Sequence, residues 1–159
     1  VCTARPDRPG LLATHLFDAK LTPVCSPALL HGGIGLRQPA DLVNHSLLQL
    51  YTASDEWPVW LQAAGVPVDV GQVGPRFDSY LLALEAAIDG QGVAIVPRFL
   101  AAADLRGGRL VAPFALQVPQ PRGWFLVCRT DRRDAPSVSA FRDWLTAEIA
   151  ADPDLFPFA

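Results

Sequence analysis

The chain has 159 residues, 50% of them hydrophobic and 18% charged, with 15 Pro and 12 Gly. A chain of that length buries roughly 70% of the surface its unfolded form exposes, enough for one ordinary domain or two small lobes without metal or disulfide staples. Lys plus Arg number 13 against 16 Asp plus Glu, a formal charge of −3, so these residues lack the basic excess with which a free-standing nucleic-acid binder neutralises phosphates.

Short apolar runs alternate with helical patterns along the chain. Leu21-Thr22-Pro23-Val24-Cys25 reads as a strand, and Ser26-Pro27-Ala28-Leu29-Leu30 as a helix start, with a Ser cap and Pro at the first helical position. His31-Gly32-Gly33 ends that turn, Pro39-Ala40-Asp41-Leu42 makes another, and Ser46 to Tyr51 is a strand. A helix follows from Ser54 to Gly65. Ser or Asp is expected to cap it, and Trp57, Trp60, Leu61 and Ala64 form one apolar face. Val66 to Phe77 reads as β-rich with Gly71 and Gly74 as breakers. Asp78 or Ser79 then caps a helix over Tyr80–Asp89 that Gly90 and Gly92 stop. Val93-Ala94-Ile95-Val96 is an apolar run of the kind covered on both faces of a sheet.

Pro97 starts a helix through Leu105, Leu110-Val111-Ala112 reads as a strand, and Val118-Pro119-Gln120-Pro121-Arg122 as a crossing between lobes. Gly123 to Arg129 is a strand, and a helix opening at Pro136 or Ser137 aligns Val138, Phe141, Leu145 and Ile149. Strands alternating with helices predict an α/β fold with a mostly parallel sheet.

Several chemistries are excluded by what the residues lack. His31-Gly32-Gly33 is like an oxyanion-hole fragment, but no G-x-S-x-G elbow supplies a nucleophile. His15, His31 and His45 are scattered, without HxxxH or CxxC partners, so no metal site is expected. There is no GxxxxGK[ST], and Gly90-Gln91-Gly92 precedes a strand rather than a helix. Lys20 is the only lysine, which leaves a single candidate for Schiff-base or phosphate-clamping chemistry, at a strand start. No catalytic constellation and no cofactor is expected. No apolar run approaches the roughly 20 residues of a membrane helix. The residues from Val1 to Pro9 hold no signal-peptide core, and Cys2, Cys25 and Cys128 form no CxxC, so free thiols in a cytoplasmic protein are expected.

Two features are like ligand-binding apparatus. Phe77-Asp78-Ser79-Tyr80 sits at a strand-to-helix junction, where free N–H groups and positive potential suit a carboxylate or phosphate, Ser79 adds a hydroxyl, and Asp78 could meet a cation. The plainer reading is that Asp78 or Ser79 only caps the helix. Trp124 opens a strand after the Pro-rich stretch; its indole could stack on a ligand or seal a lobe junction. The Trp57/Trp60 pair is expected to anchor its helix on its own lobe rather than hold a cofactor.

These residues together resemble a known family. Leu21 to Leu30, Pro39-Ala40-Asp41-Leu42, Trp57-Pro58-Val59-Trp60-Leu61, Phe77-Asp78-Ser79 with Leu84-Glu85-Ala86-Ala87, Gly90 to Pro97, Gly108 to Phe114 and Phe141 to Leu145 resemble, in that order, the effector-binding domain of LysR-type transcriptional regulators. The likeness runs from about Leu16 to Ile149 and is nearest to the branch holding the glycine-cleavage activator and the β-lactamase regulator. It implies a two-lobed fold like type 2 periplasmic binding proteins, with residues 1–23 and 124–159 in lobe I, 24–123 in lobe II, and two crossing strands near Leu21–Cys25 and Trp124–Arg129. It implies a small-molecule effector in the cleft, with Ser79 and Trp124 at cleft positions, Asp78 and Phe77 beside them, and Val1 where that branch has an aspartate. It also implies that a winged helix-turn-helix, a linker helix and the opening strands of lobe I precede Val1, so that lobe I is incomplete here and DNA is met only through that absent segment.

Effector binding would then shift a homodimer or tetramer of effector domains, with the helix after Asp78 a candidate contact, and no membrane partner is implied. Two other classes fit the same fold: a solute-binding protein feeding a transporter, told apart by an export signal rather than a winged helix-turn-helix upstream of Val1, and an enzyme, which would need an acid–base pair or nucleophile in the cleft.

Overall fold

A computed structural model of the chain describes residues 1–3, 7–31, 35–69 and 74–155. They fall into two compact units, Val1–Ala19 with Arg122–Ala159, and Lys20–Pro121.

The Lys20–Pro121 unit is built on a five-stranded sheet of β2 (Lys20–Val24), β3 (Leu47–Leu50), β4 (Arg76–Phe77), β5 (Val93–Pro97) and β6 (Val118–Pro119), in the order β4-β3-β5-β2-β6. Successive side chains of a strand point to opposite faces, and the residues of the central strands divide between two hydrophobic clusters with that period. Leu21, Leu47, Val93 and Ile95 lie in one hydrophobic cluster with Trp57, Trp60 and Leu61 of helix α2 (Glu56–Ala63). Val24, Leu48, Leu50, Ala94 and Val96 lie in the other, with Ala83, Leu84, Ala86 and Ala87 of helix α3 (Tyr80–Ile88). A helix therefore covers each face, and β5 is buried along its whole length, as its unbroken apolar run predicts.

The tryptophans anchor α2 within this unit. Trp57 Nε1 donates to the Leu48 carbonyl at 3.0 Å, Trp60 Nε1 donates to the Leu116 carbonyl at 3.3 Å, and the two indoles meet edge to face. A one-turn helix α1 (Ala28–His31) follows Ser26-Pro27, and a 3-10 turn over Pro39–Asn44 opens with the Asp41 carboxylate accepting from the amides of Arg37 and Gln38. Those two bonds hold the Asp41 carboxyl below its usual pKa.

The structure differs from several of these expectations. The sheet is mixed, not mostly parallel: β3 runs parallel to β4 and β5, but β2 is antiparallel to β5 and β6. The chain enters this unit along β2 and leaves it along β6 on the same side, so those two strands must run in opposite directions. Leu110–Ala112 is not a strand; Val111 makes one bridge, to Cys25. Of the β-rich stretch 66–77, Arg76–Phe77 forms a strand and Val66 is a core residue, while the breaker Gly71, like Gly32 and Gly33, lies outside the described residues. The Pro-rich stretch contains the division between the two units, after Pro121, and its first two residues also make β6, with Lys20 opposite Pro119 and Leu21 opposite Val118. Pro23 fits inside β2 because it shares a strand edge with Cys25, whose amide and carbonyl both engage Val111; the missing N–H falls where β6 has ended.

Pro97 is expected to start one helix through Leu105, and the chain there makes a 3-10 turn, Arg98–Ala101, running into helix α4 (Ala102–Arg106). Ala101, Leu105 and Leu110 join the cluster under α3.

In the other unit β1 (Leu11–Phe17) pairs antiparallel with β7 (Trp124–Arg129), with a bulge between His15 and Phe17. Cys2 adds a bridge to Phe125 through two backbone bonds of 2.9 and 2.8 Å. Helix α5 (Pro136–Ala151) opens on the proline as expected. Of its predicted apolar face, Val138, Leu145 and Ile149 are half-buried and Phe141 is exposed. The three cysteines are not joined in disulfides, and among the described residues no helix is long and apolar enough to cross a membrane.

Candidate functional site

Phe77, Asp78 and Ser79 are brought together where β4 turns into α3. Phe77 closes the parallel pairing with β3, opposite Leu50, and packs its half-buried ring on the cluster under α3. Asp78 is exposed. Ser79, and not Asp78, is the cap of α3: its backbone is extended (φ −147°, ψ 155°) and its Oγ accepts from the Leu82 amide at 3.5 Å. A hydroxyl carries one proton and two lone pairs, so a cap bond of that length leaves it chemically able to donate to an incoming acceptor. The first turn of α3 adds amide N–H groups and the positive end of the helix dipole. The arrangement can bind an anionic or hydrogen-bonding group of a small molecule. It holds no nucleophile–base pair, and among the described residues no group of three His, Cys, Asp or Glu is placed to hold a metal.

Trp124 belongs to the other unit. It lies opposite Phe17 in the β1–β7 ladder, and the two rings stack with centroids 5.7 Å apart and planes 9° apart. The preceding Gly123 comes close to β1: a Cβ on it would stand 2.8 Å from Asp18 Oδ1 and 3.1 Å from His15 Nε2. Those two side chains are bonded to each other at 2.9 Å.

Beside Ser79 stands a polar cluster that the sequence reading misses. Glu56, at the start of α2, is 2% exposed. Its Oε1 accepts from Tyr80 Oη at 2.5 Å and from Gln120 Nε2 at 2.7 Å, and Gln120 Nε2 also lies 3.1 Å from Tyr80 Oη. Three segments far apart in sequence supply these groups, so no local motif announces them; the one sequence signal is an acidic residue at a helix start whose following face is wholly apolar.

With the fold and the β4–α3 junction defined, the class of the protein follows from comparison. The chain belongs to the LysR substrate binding domain family, whose family model matches residues 1–150, and its fold is the type 2 periplasmic-binding-protein-like fold of LysR effector-binding domains.

Among individual proteins, it is 36% identical over 154 residues to the glycine cleavage system transcriptional activator of Escherichia coli (strain K12), covering 97% of this chain and 50% of that protein. It is 41% identical over 143 residues to the HTH-type transcriptional activator AmpR of Pseudomonas aeruginosa, covering 89% of this chain and 46% of that protein. The chain thus spans about half the length of the curated relatives it matches. Among solved structures, the effector domain of AmpR from Pseudomonas aeruginosa matches with a TM-score of 0.80 at 37% identity, over 93% of this chain and 69% of that one. The AmpR effector binding domain from Citrobacter freundii matches with a TM-score of 0.81 at 30% identity, over 94% and 72%.

Proposed function

We propose that this chain is the ligand-sensing domain of a LysR-type transcriptional regulator, that Phe77, Asp78, Ser79 and Trp124 contact its small-molecule effector, and that it has no catalytic role. The two units are read as the two lobes of the family fold. The observation that carries the reading is Ser79: a capping hydroxyl at the head of a nine-residue helix, in a chain matched by the family over residues 1–150. An effector with a carboxylate or another strong acceptor suits that position. DNA would be met through a winged helix-turn-helix elsewhere in the full-length protein, and homo-oligomer formation is part of the same reading; Leu81 and Leu82, exposed on α3, supply apolar surface for it. A solute-binding protein would share the fold, but the relatives named above are transcriptional activators, which favours the regulator.

The test is a thermal-shift and calorimetric titration of the chain with amino acids, small carboxylates and phosphate esters, glycine among them because a relative is an activator of the glycine cleavage system. A ligand at 100 times its Kd stabilises by about 2.7 kcal/mol. The expected result is one compound giving a saturable rise in Tm, with Ser79→Ala and Trp124→Ala each weakening its affinity. Unchanged affinity in both variants overturns the assignment of these residues.

A further inference from the structure

We propose that Glu56, Tyr80 and Gln120 are positioning residues for the Ser79 site, a buried clasp tying the first turn of α3 to the stretch along which the chain leaves the Lys20–Pro121 unit. The bonds are independent of any ligand; their bearing on sensing rests on the reading of Ser79 given above. A carboxyl group shut away from water is tolerated where donors meet it. Here the phenol of Tyr80 and the amide of Gln120 converge on one oxygen of Glu56, and on each other, closing a triangle of 2.5, 2.7 and 3.1 Å. Removing one vertex strips a partner from both of the others, which couples the three groups.

Each vertex belongs to a different part of the unit. Tyr80 follows Ser79 directly, so the tether on its ring fixes where the capping hydroxyl sits. Gln120 follows β6 and precedes Pro121, the last residue of the unit. Glu56 shares a helix face with Trp60 four residues on, and Trp60 holds the carbonyl of Leu116 in the same departing stretch. Side chains of α2 therefore grip that stretch at two points, and one of the grips is shared with the head of α3. A pull on the α3 terminus at Ser79 reaches the departing strand through the shared Glu56 carboxylate oxygen and through the direct contact of Tyr80 with Gln120.

Coupling of this kind is established by double-mutant cycles rather than by proximity. The experiment is amide hydrogen exchange on the 159-residue chain with no ligand added, comparing the parent with Tyr80→Phe, Gln120→Leu and the double variant, each nearly matched in volume. The expected result is that Tyr80→Phe raises exchange at the amides of Val118 and Gln120, that Gln120→Leu raises exchange in residues 79–82, each by about fivefold or more, and that the double variant exceeds neither single by much. Glu56→Gln, which keeps an acceptor oxygen, should stay near the parent, while Glu56→Leu should match the double variant. If each substitution changes only its own segment, or the effects simply add, the clasp is refuted. That outcome leaves the effector reading standing. Conversely, a clasp that behaves as stated in a chain whose Ser79→Ala variant binds its ligand normally refutes only the effector reading.

Discussion

Phe17 and Trp124 are cross-strand partners whose rings lie nearly parallel, 9° from coplanar, at 5.7 Å. Phe17 is buried and Trp124 half-buried, so the phenylalanine forms the floor on which the indole rests. Replacing Phe17 by Leu keeps most of the apolar area and loses the stacking, a cost of about 1 kcal/mol; Phe17→Ala also opens a cavity and costs about 3 kcal/mol. Chemical denaturation of the three proteins should rank them in that order. Trp124→Phe, which preserves a stack, should stay near the parent.

Ser79→Ala removes a cap bond that is already long, so its stability cost should fall at the low end for caps, about 0.5–1 kcal/mol. Asp78→Ala, which removes no cap bond, should leave Tm within error of the parent. A larger loss from Asp78 than from Ser79 in thermal unfolding would contradict the capping assignment.

Gly90 and Gly92 look alike in sequence and differ in kind. Gly90 has φ +76°, and the space where a Cβ would sit is open, with no atom within 4 Å, so Gly90→Val costs only backbone strain, about 1–3 kcal/mol. Gly92 does not have a positive φ, but a Cβ there would stand 2.2 Å from the Ser46 carbonyl oxygen, which accepts from the Val93 amide. Gly92→Ala therefore forces β5 away from the chain entering β3 and should destabilise by about 3 kcal/mol. Urea midpoints should show the smaller substitution doing as much damage as the larger one.

Burial pushes the Cys25 thiol from 9.0 up to about 11. In the unfolded chain that thiol ionises above about pH 9 while the folded state holds it neutral. The contribution to stability is thus fully present below pH 9 and is lost as pH rises through 11, about 3 kcal/mol in all. Stability measured between about pH 8 and 11 should fall more steeply in the parent than in Cys25→Ala. At about pH 8, iodoacetamide should label the half-buried Cys2 and Cys128 before Cys25.

What could be read from sequence was whatever one element declares by itself. The apolar stripe of α2, the small-residue helix α3 and the β-branched run of β5 each carry their own period, and Phe77-Asp78-Ser79 announces a strand-to-helix junction. What was missed depends on partners. Leu11–Phe17 has one β-branched residue, Thr14, and becomes a strand only because Trp124–Arg129 lies beside it. Strand direction leaves no periodic trace, hence the mixed sheet. The Glu56–Tyr80–Gln120 triangle joins segments that no window spans, and the choice of Ser79 over Asp78 as cap turns on a backbone angle.

The pairing of Lys20 with Pro119 sets the two ends of the larger unit on neighbouring strands, about 5 Å apart across the ladder. Both of its hydrophobic clusters are made entirely from residues between those ends. Such a piece has the makings of a cassette: its termini could be stitched by a tight two-residue turn and reopened in a surface loop, giving a circular permutant that keeps every core contact.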